Sequence, residues 1–173
     1  MAAVLVPGRN AEEEIARLMR EQGGYILRLC FVNLRDRGLA EEAAQDTFVK
    51  AYKGWQSFRG DSSEKTWLCR IAVNTCRDYR RRNWFRVLKA QVSLQDVPEA
   101  SVPFDERDDT LTLAVMNLPR RYREVILLHY YQGLPAADIA EILNLTASGV
   151  YTRLRRGQAM LKPALERWYL DET

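Results

Sequence analysis

Arg70, Asn74, Arg77 and Arg81 recur at i, i+4, i+7 and i+11, a spacing that stacks side chains along one face of a helix. A line of guanidiniums attracts phosphates without regard to sequence. An amide set among them can read a base edge. Asparagine is a poor helix-interior residue, costing up to roughly 0.7 kcal/mol relative to alanine, so its place in this strip calls for a use. Phe58 and Trp67 read as exposed aromatics beside the strip. Rings next to phosphate-pairing arginines suit single-stranded nucleic acid. A second constellation lies further on, where Ser148, Thr152, Arg155 and Arg156 share one helix face with Tyr151 at its flank. Such a short polar-basic face suits reading of the DNA major groove. The plain alternative is an ordinary solvated surface for the first face and any tight helical hairpin for the second.

Several other chemistries are missing. The chain has no Gly-rich phosphate loop and no nucleophile set beside a base. Its one histidine, His129, falls on an apolar stripe and reads as structural. Three cysteines, Cys30, Cys69 and Cys76, form no CxxC pair, which argues against a disulfide scaffold or a zinc cluster. Cys69 and Cys76 read as small core residues. The expectation is a protein that is not an enzyme, with no catalytic residues, no metal and no cofactor.

The elements that must carry these faces are helical, since no stretch alternates as a strand would. Asn10 precedes Glu12, Glu13 and Glu14 and predicts a helix start. The Gly23-Gly24 pair should break or bend that helix, leaving a separate apolar stretch from Tyr25 to about Leu34. A further helix is expected from about Leu39 to Trp55, with Ala40, Ala43, Ala44, Thr47 and Ala51 inside. Glu42, Gln45, Asp46 and Val49 fall outside. Phe58 to Lys65 is a polar loop. In the helix after it, Leu68, Ala72, Cys76 and Tyr79 oppose the basic strip and serve a core.

Between Ser93 and Asp109 come Pro98, Pro103 and the acids Asp96, Glu99, Asp105, Glu106, Asp108 and Asp109, against the single base Arg107. That composition reads as a linker. Beyond it, Gly133 to Gly157 reads as helix, turn, helix. Ala136, Ile139, Ala140 and Leu143 are buried, Asn144 and Leu145 turn the chain, and Thr146 caps the next helix. In that helix Val150, Leu154, Gly157 and Leu161 face inward. The preceding helix packs through Tyr122, Val125, Ile126 and His129. The fold class is therefore all-α, two small helical domains joined by an acidic linker, the second containing a helix-turn-helix.

The chain has 173 residues, 47% of them hydrophobic, with net charge +3, so it folds but is only mildly basic overall. No apolar run approaches the roughly 20 residues that span a bilayer. The opening MAAVLVPGRN lacks the basic start and long apolar core of a signal peptide. The expected location is cytoplasmic, with no membrane insertion.

SFRGDSSEKTWLCRIAVNTCRDYRRR, followed after the linker by LPRRYREVILLHYYQGLPAADIAEILNLTASGVYTRLRRGQAML, resembles the bacterial extracytoplasmic-function (ECF) sigma factors from about Tyr25 to Lys162. The resemblance implies an RNA polymerase specificity subunit. Residues 1–90 would be region 2, which binds core polymerase and opens the −10 element. Residues 91–109 would be the linker, and residues 110–173 region 4, which reads the −35 element. It also implies core RNA polymerase, promoter DNA and an anti-sigma factor as partners.

AEEAAQDTFVKAY is similar to the family segment that docks on the polymerase clamp, which gives Glu42, Gln45, Asp46 and Val49 a polymerase-binding role. The loop Gly60 to Lys65 matches the loop that holds a flipped non-template base. The −10 set it implies is Asp61, Ser62, Ser63, Lys65, Trp67, Arg70, Asn74, Arg77 and Arg81. Two uses are open to Trp67, stacking on a base or packing the loop onto the helix. Ser148, Tyr151, Thr152, Arg155 and Arg156 would meet the −35 element. The chain departs from the usual pattern with Ser148-Gly149-Val150 at the recognition-helix start, Tyr151 for a basic residue, and Gly157-Gln158 for Ala-Arg. Both glycines are expected to loosen the helix. The linker would thread the polymerase's RNA exit channel or act as a simple tether. The competing reading is a stand-alone helix-turn-helix regulator, which would bind a palindrome unaided and need no aromatic-basic strip.

Overall fold

The computed structural model describes residues 10–89 and 108–170, which hold helices and turns and no strand. Most of the expected linker lies outside the described residues. The chain divides into two compact units, α1 to α4 and α5 to α8.

Helix α1 (Ala11–Leu34) starts where the Asn10 side chain accepts from the Glu12 amide at 3.2 Å, with Glu12, Glu13 and Glu14 in the first turn. It runs without a break through Gly23 and Gly24, contrary to the break expected there. Each glycine costs about 1 kcal/mol relative to alanine. The turns beyond them fully bury Ile26, Leu29, Cys30, Phe31 and Leu34, and each large side chain so buried returns about 1.5–3 kcal/mol. Packing wins over propensity.

Helix α2 (Arg37–Gly54) is capped by Asp36, which accepts from the Leu39 amide at 2.9 Å. Its inner face is the expected one, Ala40, Ala43, Ala44, Thr47 and Ala51, joined by Leu39 and Phe48. The Thr47 hydroxyl is buried but donates to the Ala43 carbonyl at 2.8 Å, so no polar group is stranded. A 3₁₀ turn, Trp55–Ser57, leads to the loop before α3 (Glu64–Arg82). Helices α1, α2 and α3 pack on one another. Leu68, Cys69, Ala72, Val73, Thr75 and Cys76 close the core, while Tyr79 is only half-buried. All three cysteines are free and buried. Burial pushes the Cys69 thiol up to about 12. The Cys30 thiol is held well above its ordinary value, by its hydrogen bond with Cys76 and by burial. Neutral thiols pack as small apolar groups. A short helix, α4 (Trp84–Lys89), follows α3.

In the second unit, α5 (Asp108–Met116) opens just ahead of the Thr110 start read from the sequence. Helix α6 (Arg120–Ile126) continues through a π turn, Leu127–Tyr131. The buried Arg123 closes the end of α5 by donating to the Met116 carbonyl at 2.8 Å. Helix α7 (Ala136–Leu143) ends at Asn144, held left-handed at φ 54°. The Leu145 amide reaches back to Ala140 at 2.8 Å, a turn that satisfies the last carbonyls. Helix α8 (Ala147–Leu170) packs on α5, α6 and α7.

Candidate nucleic-acid interface

On the outer face of α2, Glu42 and Gln45 are exposed and Val49 is 48% exposed. Tyr52, at i+3 from Val49 and also exposed, extends this face. The spacing held that signal, but Tyr52 was not read as part of it. Asp46 departs from the expectation. It is half-buried, and the Tyr79 hydroxyl of α3 donates to its Oδ2 at 3.3 Å. Burial first, and the Asp46 charge second, raise the Tyr79 phenol. Asp46 thus ties α2 to α3.

The loop before α3 is shaped by Gly60, at φ 73°, and by Ser63, whose hydroxyl accepts from the Thr66 amide at 3.1 Å to cap the helix. Phe58 is not exposed. It is buried to 7% exposure, its ring 4.8 Å from Trp67 and 5.8 Å from Trp55. An apolar ring beside two indoles gains more from this cluster than from water. Trp67, half-buried in the same cluster, packs the loop onto the helix.

A cleft of about 210 Å³ opens above this cluster, lined by Arg59, Asp61, Ser62, Trp67 and Arg70. Of the set that the resemblance implied, Asp61, Ser62, Trp67 and Arg70 line this cleft and Asn74 does not, and Arg59 joins them. Its place in a turn gave no periodic signal. Ser63 and Lys65 do not line the cleft. Ser63 is occupied as the cap, and Lys65 lies 5.8 Å over the Tyr25 ring on α1. From the cleft the strip runs along α3. Asn74 is exposed, with no hydrogen-bond partner for its amide among the described residues. Arg70 and Arg77 are half-buried and Arg81 is exposed, paired with Asp78 at 2.5 Å. An exposed pair of this kind is worth ~0–1 kcal/mol and yields readily to a phosphate.

In the second unit the Thr146 hydroxyl accepts from the Gly149 amide at 3.0 Å and starts α8 as expected. Val150, Leu154, Gly157 and Leu161 are buried. Ser148, Tyr151, Arg155 and Arg156 are exposed and Thr152 half-exposed, its hydroxyl bonded to the Ser148 carbonyl at 3.0 Å. A cleft of about 840 Å³ runs along this face, lined by Ser148, Tyr151, Thr152, Arg155 and Gln158 of α8 and by His129 and Tyr130 of the π turn. Arg156 is not in it. Sequence reasoning missed Tyr130. The π turn adds a residue to the helical repeat and swings this ring outward, where Gln158 donates to its hydroxyl. His129 is half-buried at this cleft, its Nδ1 3.0 Å from the Leu134 carbonyl oxygen. The two glycines do not interrupt α8, and Gly157 sits against α6.

Comparison with known proteins places these two faces in a family. Residues 18–86 match sigma-70 region 2, and residues 108–161 match sigma-70 region 4. The chain is 34% identical over 157 residues to RNA polymerase sigma factor YlaC of Bacillus subtilis (strain 168), covering 87% of this chain and 91% of that protein. It is 33% identical over 154 residues to ECF RNA polymerase sigma factor SigW of the same strain, covering 81% and 82%. The chain belongs to the ECF sigma factor family. As a sigma factor it is a transcription initiation factor. Two solved structures share its fold at lower identity. CnrH in complex with the cytosolic domain of CnrY matches with TM-score 0.64 at 23% identity over 92% of this chain and 91% of that one. The sigma factor RpoE in complex with the anti-sigma factor NepR, from Bartonella quintana, matches with TM-score 0.69 at 22% identity over 90% and 96%. Among the described residues of this sigma factor, no helix is long and apolar enough to cross a membrane.

Proposed function

We propose that this sigma factor works in the cytoplasm as a non-enzymatic specificity subunit, with residues 1–90 as region 2, 91–109 as the connecting linker and 110–173 as region 4. The outer face of α2, centred on Glu42, Gln45 and Val49, docks on core RNA polymerase. An exposed valine and tyrosine among polar groups suit such a mixed interface. The cleft above Trp67 receives a base flipped from the −10 element. Flipping costs a few kcal/mol of stacking, which contacts to Asp61, Ser62 and Arg70 offset. Arg77 and Arg81 draw the strand's phosphates along α3, and Asn74 reads a base edge. Arg155 meets a base in the −35 element and Arg156 a phosphate, with Ser148, Tyr151 and Thr152 beside them. An anti-sigma factor, such as the one bound to the Bartonella quintana relative, would hold the protein inactive by covering these faces.

The observation that carries this reading is the continuity of one cleft with one basic strip, Asp61, Ser62 and Arg70 opening onto Asn74, Arg77 and Arg81. Run-off transcription with core polymerase tests it. Asn74→Ala should leave folding and core binding intact, yet slow open-complex formation and blur preference within the −10 element. A pre-melted bubble should rescue Arg77→Ala and Arg81→Ala more than it restores the lost base preference. Normal opening rate and selectivity with Asn74→Ala would make the amide a tolerated surface residue and defeat the reading.

A further inference from the structure

Helix α4 buries none of its residues, so the core does not account for its position. Polar contacts hold it instead. Arg86 donates through Nε and Nη2 to both carboxylate oxygens of Asp36, at 2.6 and 2.8 Å. Gly38 leaves room for that clasp, since a Cβ there would meet Arg86 Nη2 at 3.3 Å. At the junction, the Asn83 side chain donates to the Tyr79 carbonyl at 3.0 Å and closes α3. These contacts position an outward-facing apolar surface. Trp84, Phe85 and Leu88 are 52%, 59% and 73% exposed. The Trp84 and Phe85 rings stack with centroids 3.8 Å apart, and Lys89 lies 5.7 Å over Phe85. A clustered apolar surface on a folded protein marks a binding site.

We propose that Trp84 and Phe85 form a stacking platform for single-stranded promoter DNA that runs past the end of the Arg70–Arg81 strip. The inference rests on the proposed role of that strip. Charge decides the occupant. From Arg77 to Lys89 the chain carries Arg77, Arg80, Arg81, Arg82, Arg86 and Lys89 against the one acid Asp78. A second copy of the chain would set like charges together. A polyanion with flat apolar faces, which a nucleic acid strand is, satisfies rings and cations at once. Length agrees. From Arg70 to Arg81 the helix rises roughly 16 Å, the span of a few nucleotides, so the platform meets nucleotides towards or past one end of the −10 element.

The test uses holoenzyme assembled from the full chain and core polymerase. The probes are non-template-strand oligonucleotides carrying a −10 sequence selected by the wild-type holoenzyme from a random pool. One probe stops at the element, and two others are lengthened by a few nucleotides at one end or the other. Wild type should bind one lengthened probe more tightly than the short one. The double variant Trp84→Ala, Phe85→Ala should lose that gain, at least about fivefold, the lower end of what one stacked base contributes. Its binding to the short probe and to core polymerase should not change. Trp84→Phe should keep most of the gain, while Trp84→Leu, apolar but unable to stack, should lose it. A variant that binds every probe normally but core polymerase weakly would overturn the proposal in favour of a protein partner. So would equal loss on all probes, or leucine serving as well as phenylalanine. If wild-type holoenzyme selects no −10 sequence at all, the reading of the strip itself fails, and the platform with it.

Discussion

Gly157 on α8 lies so close to Ile126 on α6 that a Cβ added to it would meet Ile126 Cγ1 at 3.0 Å and Cδ1 at 3.2 Å. The glycine therefore sets how closely the recognition helix packs on the helix that supports it. Alanine should gain about 1 kcal/mol of helix propensity, opposed by about 1–3 kcal/mol of overpacking. Thermal unfolding of a double-mutant cycle separates the two. Gly157→Ala should be more favourable in the Ile126→Val background than in the native one, by at least about 0.5 kcal/mol. Additive effects would show that Ile126 yields freely. Gly157→Val should destabilise in either background.

On α2, Glu42→Lys and Val49→Asp should each lower affinity for core polymerase at least about fivefold, the ~1 kcal/mol that marks an interface residue, with no change in melting temperature. Asp46→Lys should behave differently. Its carboxylate is half-buried and accepts from Tyr79, so a lysine there should also destabilise the fold, by about 1–3 kcal/mol. Asp46→Asn, which keeps an acceptor, should recover stability. Calorimetry beside a core-binding titration checks both. Full stability in Asp46→Lys would show that the Tyr79 bond contributes nothing.

Arg155 lines the large cleft and Arg156 does not. Arg155→Ala should cost about 1–3 kcal/mol and relax preference at one −35 position, while Arg156→Ala should weaken all promoters alike and lower the salt slope. Promoter-library selection with each variant tells them apart. A uniform loss with Arg155→Ala would reverse the assignment.

Asp36 gives a pH dependence with a definite sign. Burial raises its carboxyl, but the Arg86 guanidinium and the Leu39 amide outweigh that and hold it below the ordinary value. A depressed carboxyl contributes stability that is present above its unfolded pKa of about 3.9 and lost as pH falls through the lower folded value. Asp36→Asn keeps a helix-capping oxygen but loses the ion pair. Wild type should therefore be more stable than Asp36→Asn at pH 7, and the gap should start to close below about pH 4 and vanish only below the lower folded value. A gap independent of pH would assign the effect to capping geometry.

Periodicity made much of this molecule legible. The inner face of α2, the basic face of α3 and the inward face of α8 could all be placed by counting residues, since a regular helix repeats every 3.6 residues whatever surrounds it. Caps were equally readable, because Asn10 and Thr146 act on amides two or three residues away. The promoter-reading roles proposed for single residues came through resemblance, and the fold adds only that Asp61, Ser62, Trp67 and Arg70 share a cleft.

The expectations that changed all depend on what a residue meets across space. Gly23 and Gly24 stay helical because the turns after them are buried, a gain no local propensity carries. Phe58 turns inward because Trp55 and Trp67 arrive from either side of its loop. Asp46 is tied inward by Tyr79, thirty-three positions along the chain. Tyr130 comes out on a π turn that breaks the repeat by which its face would be counted. The room a side chain at Gly157 would need is bounded by Ile126 and Tyr122 of α6. Local spacing decides which way a side chain points from its own helix, but the atoms it meets come from other helices, and only packing brings those together.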